Sequence, residues 1–201
     1  MPALLVPTSR LERWVANFGT RHGDPELATQ EGALTAVAAD GSTFEARLPF
    51  GREYDGPADV AAFVTACAPP AHWGVLLVRK GGFAVASLHH DEVATSKVGQ
   101  RHVQGRTKAG GQSQQRFARR RDNQAREANR AAAEHAARIL EGLGPVVVGG
   151  DRSAVAEVLA DPRLATLEVV EPWLPVPDPR RRVLDAAVGD ACSVRMTVVN
   201  A

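Results

Sequence analysis

The order of apolar segments predicts an α/β (α+β) fold, a mixed sheet with helices packed on it. Two hairpin signals support this, Asp40-Gly41 and Lys80-Gly81-Gly82, each lying between apolar runs. A long alanine- and arginine-rich segment of helical periodicity occupies the middle of the chain. The succession strand, strand, strand, long helix, strand, helix, strand after residue 70 completes the pattern.

Taken in order, Ser9 is placed to cap a helix whose apolar residues Leu11, Trp14, Val15 and Phe18 recur at helical spacing, ending between Gly19 and Gly23. Leu34–Ala39 and Thr43–Phe50 flank the first hairpin turn. Pro57 opens a short helix over Ala58–Cys67, and Pro69-Pro70 marks a boundary. This divides the chain into a small N-terminal α+β region, 1–70, and a second domain, 71–201. Gly74–Arg79 and Phe83–Leu88 form the second hairpin, and Val98–Arg106 reads as a third strand with Gln100, His102 and Gln104 on one side. Thr107–Gly111 suits no regular structure. A helix from Ser113 to Leu143 follows, with Phe117, Ala125, Ala128, Ala132, Ala136, Ile139 and Leu143 marking its inner stripe. Pro145–Val148 is a short strand, and Asp151 or Ser153 caps a helix reaching Ala160. Thr166–Val170 is a strand, and the four prolines of residues 172–179 make an extended linker. A short helix over Val183–Val188 and a strand over Val194–Val199 close the chain.

The 201 residues suffice for a sizeable core. Net charge is only +1, but its distribution is uneven. Residues 97–130 hold ten Lys/Arg against two acids, while the remainder holds fourteen against twenty-one. Such a segment reads as a phosphate-facing patch or as a solvated helix face. Cys67 and Cys192 show no metal spacing, and the adjacent His89 and His90 should point to opposite faces of a strand. No metal or cofactor is expected. With no signal-peptide pattern at the N-terminus and no apolar run of membrane-spanning length, the expected setting is cytoplasmic, with no membrane partner.

The most informative run is Lys108-Ala109-Gly110-Gly111-Gln112-Ser113-Gln114-Gln115-Arg116-Phe117-Ala118-Arg119-Arg120-Arg121. Two adjacent glycines let the backbone approach another molecule closely. The amide of Gln112 does not titrate near neutral pH, so it cannot act as an ordinary general base. It can position a water, and its backbone N–H can donate to a developing oxyanion. The arginines behind it oppose the macrodipole of the helix they begin, a cost that an external polyanion reverses. Ser113 has no evident base partner.

This run resembles the peptidyl-hydrolysis loop and following helix of eukaryotic and archaeal class I translation termination factors. The resemblance covers about residues 72–171, including Val146-Val147-Val148-Gly149-Gly150. The whole chain most resembles the actinobacterial release-factor-like peptidyl-tRNA hydrolases, bacterial relatives of the eukaryotic factor that frees nascent chains from stalled large ribosomal subunits. The resemblance implies a ribonuclease-H-like catalytic core with a protruding loop at about 107–114. It implies hydrolysis of the peptide–tRNA ester in the peptidyl transferase centre, as part of ribosome quality control. Gly110 and Gly111 would shape the loop, and Gln112 would position water and the oxyanion. Arg116 and Arg119 would hold RNA phosphate, with Arg106, Lys108, Arg120 and Arg121 as further RNA contacts. Related factors can place the glutamine one residue further from the glycines; here Ser113 stands there, and Gln114 is the alternative to Gln112. The chain leaves no room for a codon-reading domain, so stop-codon decoding is not expected.

The expected partners are large-subunit rRNA and peptidyl-tRNA, with the protein a monomer in solution. Two other functions fit the residues: endonucleolytic cleavage of the tRNA acceptor end, and non-enzymatic ribosome or RNA binding.

Overall fold

The computed structural model describes the backbone of residues 4–80, 82–100 and 112–201, and the side chains of these except 112–125. The chain runs through β1 (Leu4–Val6), α1 (Leu11–His22), β2 (Glu26–Gln30), β3 (Ala33–Val37), β4 (Thr43–Arg47) and α2 (Val60–Ala66). It continues through β5 (His72–Arg79), β6 (Gly82–His89), β7 (Glu92–Gln100), α3 (Gln112–Ile139), β8 (Pro145–Gly150) and α4 (Arg152–Leu159). Last come β9 (Glu168–Leu174), α5 (Arg181–Ala191) and β10 (Val194–Val199). Among the described residues these form two five-stranded sheets, ordered β1-β10-β4-β3-β2 and β7-β6-β5-β8-β9. The mixed α+β class is the expected one.

Two compact units result, residues 1–69 with 188–201, and residues 70–187. The first unit draws on both ends of the chain. β10 inserts between β1 and β4, pairing Met196 with both Leu4 and Ala46, so residues 188–201 belong to the first unit. Backbone pairing over a long sequence separation leaves no local signal. In this unit the sheet is antiparallel throughout, and one face packs Leu34, Phe44, Ala46 and Met196 against Leu11, Val15 and Phe18 of α1 and Phe63 of α2.

In the second unit β5, β6 and β7 form an antiparallel meander, while β8 and β9 lie parallel to β5 through crossovers carrying α3 and α4. Numbered within the unit, the strand order is 3-2-1-4-5 with the second strand antiparallel. This is the ribonuclease-H-like arrangement. The central strand β5 is buried from Trp73 to Val78, as expected for a strand covered on both faces. The third strand begins at Glu92, six residues before the expected Val98, and is described as far as Gln100; Arg101–Arg106 of the expected strand lie outside the described residues. Its register to β6, from His89 opposite Glu92 to Gly82 opposite Gln100, fixes it. As an exposed edge strand it carries few apolar residues, which hid it from hydrophobic patterning.

α3 is held by its C-terminal half. Ala132, Ala133, Ala136 and Leu140 are buried against Leu76, Val78, Phe83, Val85, Val146 and Val148. Alanines allow close approach of helix to sheet, and Leu140 adds about 1.5–3 kcal/mol by its complete burial. Asn129, 6% exposed, donates from Nδ2 to Glu157 Oε2 of α4 at 2.8 Å. The Phe83 ring stacks on His135 at 5.5 Å between centroids, and Gly99 beneath it has no room for a Cβ.

Two outcomes follow from this packing. A Cβ at Gly149 would sit 2.7 Å from Leu174 Cβ and overlap the Leu174 carbonyl, where the β8–β9 register shifts. Gly149→Ala therefore destabilises by about 1–3 kcal/mol, read as a lowered thermal midpoint. Asn129→Ala removes the hydrogen bond to the exposed Glu157 carboxylate and costs about 0.5–1.5 kcal/mol, with amide exchange in α3 and α4 rising before the rest of the unit.

Candidate nucleic-acid interface and catalytic loop

β5 and β8 end together, with Val78 opposite Gly150, and at that same carboxyl-terminal edge Gln100 of β7 pairs with Gly82. The described backbone resumes at Gln112, the first residue of α3. Arg106, Lys108, Gly110 and Gly111 lie outside the described residues. Gln114, Arg116, Arg119, Arg120 and Arg121 occupy the first three turns of α3, and only their backbone is described.

The helix spans 28 residues, about 42 Å at the usual rise. Ala128 is its first described buried residue, so helical rise carries position 112 about 24 Å along the axis before the packed stripe. Positions 112, 116 and 119 share one side of the helix, whereas 114 and 121 share another. No acid stands in the first turn, so nothing there offsets the opposition between the arginines and the macrodipole. In the described part, Arg130 lies 3.8 Å from Glu134 on an exposed face, a pair worth little.

At the base of the helix the surroundings of His135 favour its neutral form. Burial first, then the nearby charges of Arg138 and Lys97, push its pKa below the ordinary value. Its Nδ1 accepts from Arg138 Nη2 at 2.6 Å. As the folded-state pKa lies below the unfolded one, this arrangement is fully stabilising above the ordinary histidine range and weakens as pH falls through it.

Other features of the unit offer less chemistry. The Gly149-Gly150 turn leads into α4, but the Asp151 carboxylate caps that helix through the N–H groups of Ser153 and Ala154 at 3.0 and 3.3 Å. The hydrogen bond from the Ser153 hydroxyl, followed by the backbone N–H of Ala154, holds Asp151 below the usual carboxylate range, and its charge disfavours a phosphate there. At the opposite edge, His89 and His90 do not point apart as expected. His90 takes a positive φ of 53° and its ring lies 4.7 Å from His89, which lies 4.9 Å from His72. The described residues contain no group of three His, Cys, Asp or Glu arranged to hold a metal ion. Trp73 is core, its Nε1 donating to the His90 carbonyl at 2.7 Å. Trp173 lies under the Arg152 guanidinium at 4.3 Å, beside a cleft of about 350 Å³ lined by Val155, Leu159 and Val169. No described helix is long and apolar enough to cross a membrane.

Sequence reasoning missed Asn129 and Glu157 as the clasp between α3 and α4. The available signal was a carboxamide adjoining the alanine stripe, one residue after Ala128.

No curated protein matches the sequence. Among solved structures, the Vms1 mitochondrial localization core superposes with a TM-score of 0.46 at 11% identity, over 96% of this chain and 82% of that one. Residues 71–197 match the family model described as the actinobacteria/chloroflexi VLRF1 release factor. That match spans most of the chain, including the whole loop and α3, and the protein belongs to the VLRF1 release-factor family.

Proposed function

We propose that this protein is a peptidyl-tRNA hydrolase that frees nascent chains from stalled large ribosomal subunits, in ribosome-associated quality control. The observation that carries this reading is the Gly110-Gly111-Gln112 run in the sequence of a release-factor family member, with Gln112 the first residue of α3. Its substrate is the ester between the nascent peptide and the 3′ end of tRNA, and its partners are large-subunit rRNA and peptidyl-tRNA.

In this reading Gly110 and Gly111 let the backbone approach the ester, and the Gln112 carboxamide orients the attacking water. The first N–H groups of a helix lack intrahelical partners, and at position 112 such a group donates to the developing oxyanion. Water adds to the ester carbonyl carbon, the acyl–oxygen bond breaks, and the tRNA 3′ oxygen leaves with a proton. Since Gln112 holds no titratable proton, the substrate and its RNA surroundings supply the proton transfer. Gln112 is favoured over Gln114 because it shares a side of α3 with Arg116 and Arg119. Those two, with Arg106, Lys108, Arg120 and Arg121, bind RNA phosphate and hold the loop against it.

The test is incubation of the protein with purified large subunits carrying labelled peptidyl-tRNA, followed by mass analysis of both products. The expected products are a free peptide carboxylate and a tRNA with an intact 3′ end. Gln112→Ala and Gly111→Ala should slow release by about a hundredfold or more, the scale for losing an oriented group acting in the transition state, with Gln114→Ala nearly unaffected. A peptide still carrying nucleotides would assign acceptor-end cleavage, and release at the wild-type rate by Gln112→Ala would overturn the proposal.

A further inference from the structure

A second set of arginines lies beside β7, outside the basic segment 97–130. Arg180, Arg181 and Arg182 are consecutive and exposed at the start of α5, whose first turn holds no acid. The Arg181 Nε donates to Asp185 Oδ1 at 2.9 Å, and its Nη1 lies 3.4 Å from Ser96 Oγ on β7. The segment before them is pinned by Arg79, which donates from Nη1 to the Val176 carbonyl at 2.9 Å and places Nε 3.7 Å from Asp178. Both local carboxylates are thus engaged. Among the described residues neither Arg180 nor Arg182 has an ion pair.

Three cations at a helix N-terminus oppose the macrodipole, as they do at the start of α3. Both helices adjoin the same strand. Ser96 of β7 meets Arg181, and its neighbour Lys97 acts on His135 of α3; successive strand residues face opposite sides. β7 therefore lies between the packed half of α3 on one face and the cationic start of α5 on the other. All three residues are arginine, whose planar fork suits phosphate oxygens better than the point charge of lysine does.

We propose that Arg180 and Arg182, with Arg181 positioned by Asp185 and Ser96, form a second phosphate-binding surface for ribosomal RNA. It grips the RNA on the side of β7 away from α3. The identity of the RNA rests on the release-factor reading above; the surface itself rests on the charges and hydrogen bonds just described.

The experiment measures equilibrium binding of the full chain to purified large ribosomal subunits across a monovalent salt series. Arg180→Glu/Arg182→Glu should weaken binding about tenfold or more. It should also lower the slope of log affinity against log salt by about 1.5, since two phosphates are no longer neutralised. Arg180→Lys/Arg182→Lys should restore most of the slope but less of the affinity. An equal charge change at Arg13 and Arg21, exposed on α1, should shift binding less than about twofold, as no phosphate is assigned to them. Circular dichroism melts confirm that each variant is folded, and if the glutamate variant does not fold the lysine variant decides alone. Unchanged binding, an equal loss in the Arg13/Arg21 control, or tighter binding to polyglutamate than to subunits would overturn the proposal. Gln112→Ala should show the same dependence on Arg180 and Arg182. If wild type binds and releases while the arginine variants match it, this inference alone fails. If wild type releases no peptide but the arginine dependence of binding remains, the hydrolase reading alone fails.

Discussion

Everything in the second unit depends on how tightly one half of α3 packs. A helix that starts with a run of arginines and contains few large apolar residues has little reason to be stable alone. Its alanine stripe supplies close contact, and Leu140 supplies apolar area against β5 and β8. The Asn129–Glu157 hydrogen bond then fixes its rotation against α4. With those contacts in place the remaining turns continue the same helix and set where Gln112 stands relative to the sheet.

The electrostatics follow from that mechanical arrangement. Positive residues at the start of both α3 and α5 work against the local helix field, and neither first turn holds an acid. A fold selected for stability alone would place acids there. The cost is small at each exposed site, and a polyanionic partner reverses it. In the proposed reading, function and stability pull in opposite directions at these two helix starts.

The sequence made the core of this unit readable wherever periodicity was strong. β5, β6, the alanine stripe of α3, β8 and the capped α4 all stand near their expected positions. Elements that depend on distant backbone pairing did not declare themselves. β1 has only three residues. β2 turns into β3 through Glu31-Gly32, both with positive φ, a hairpin that a glutamate disguised. β9 runs on to Leu174 through a stretch whose prolines suggested a linker, and α5 extends to Ala191 past Gly189. The Gly110-Gly111-Gln112 run was legible in the sequence as a proposed chemistry and as a resemblance. The clasp residue Asn129 and the α5 arginines needed three-dimensional neighbours before they meant anything, since their partners lie 28 residues away for Asn129 and 85 for Arg181.

The central claim is that α3 acts as a rigid spacer of fixed length between a packed base and a reacting residue. Inserting one helical heptad between Gln124 and Ala125 preserves the face of each residue to within about 20° and moves position 112 outward by about 10 Å. The account predicts an unchanged thermal midpoint, retained binding to large subunits and loss of peptide release. Release at the wild-type rate by the lengthened protein would contradict it.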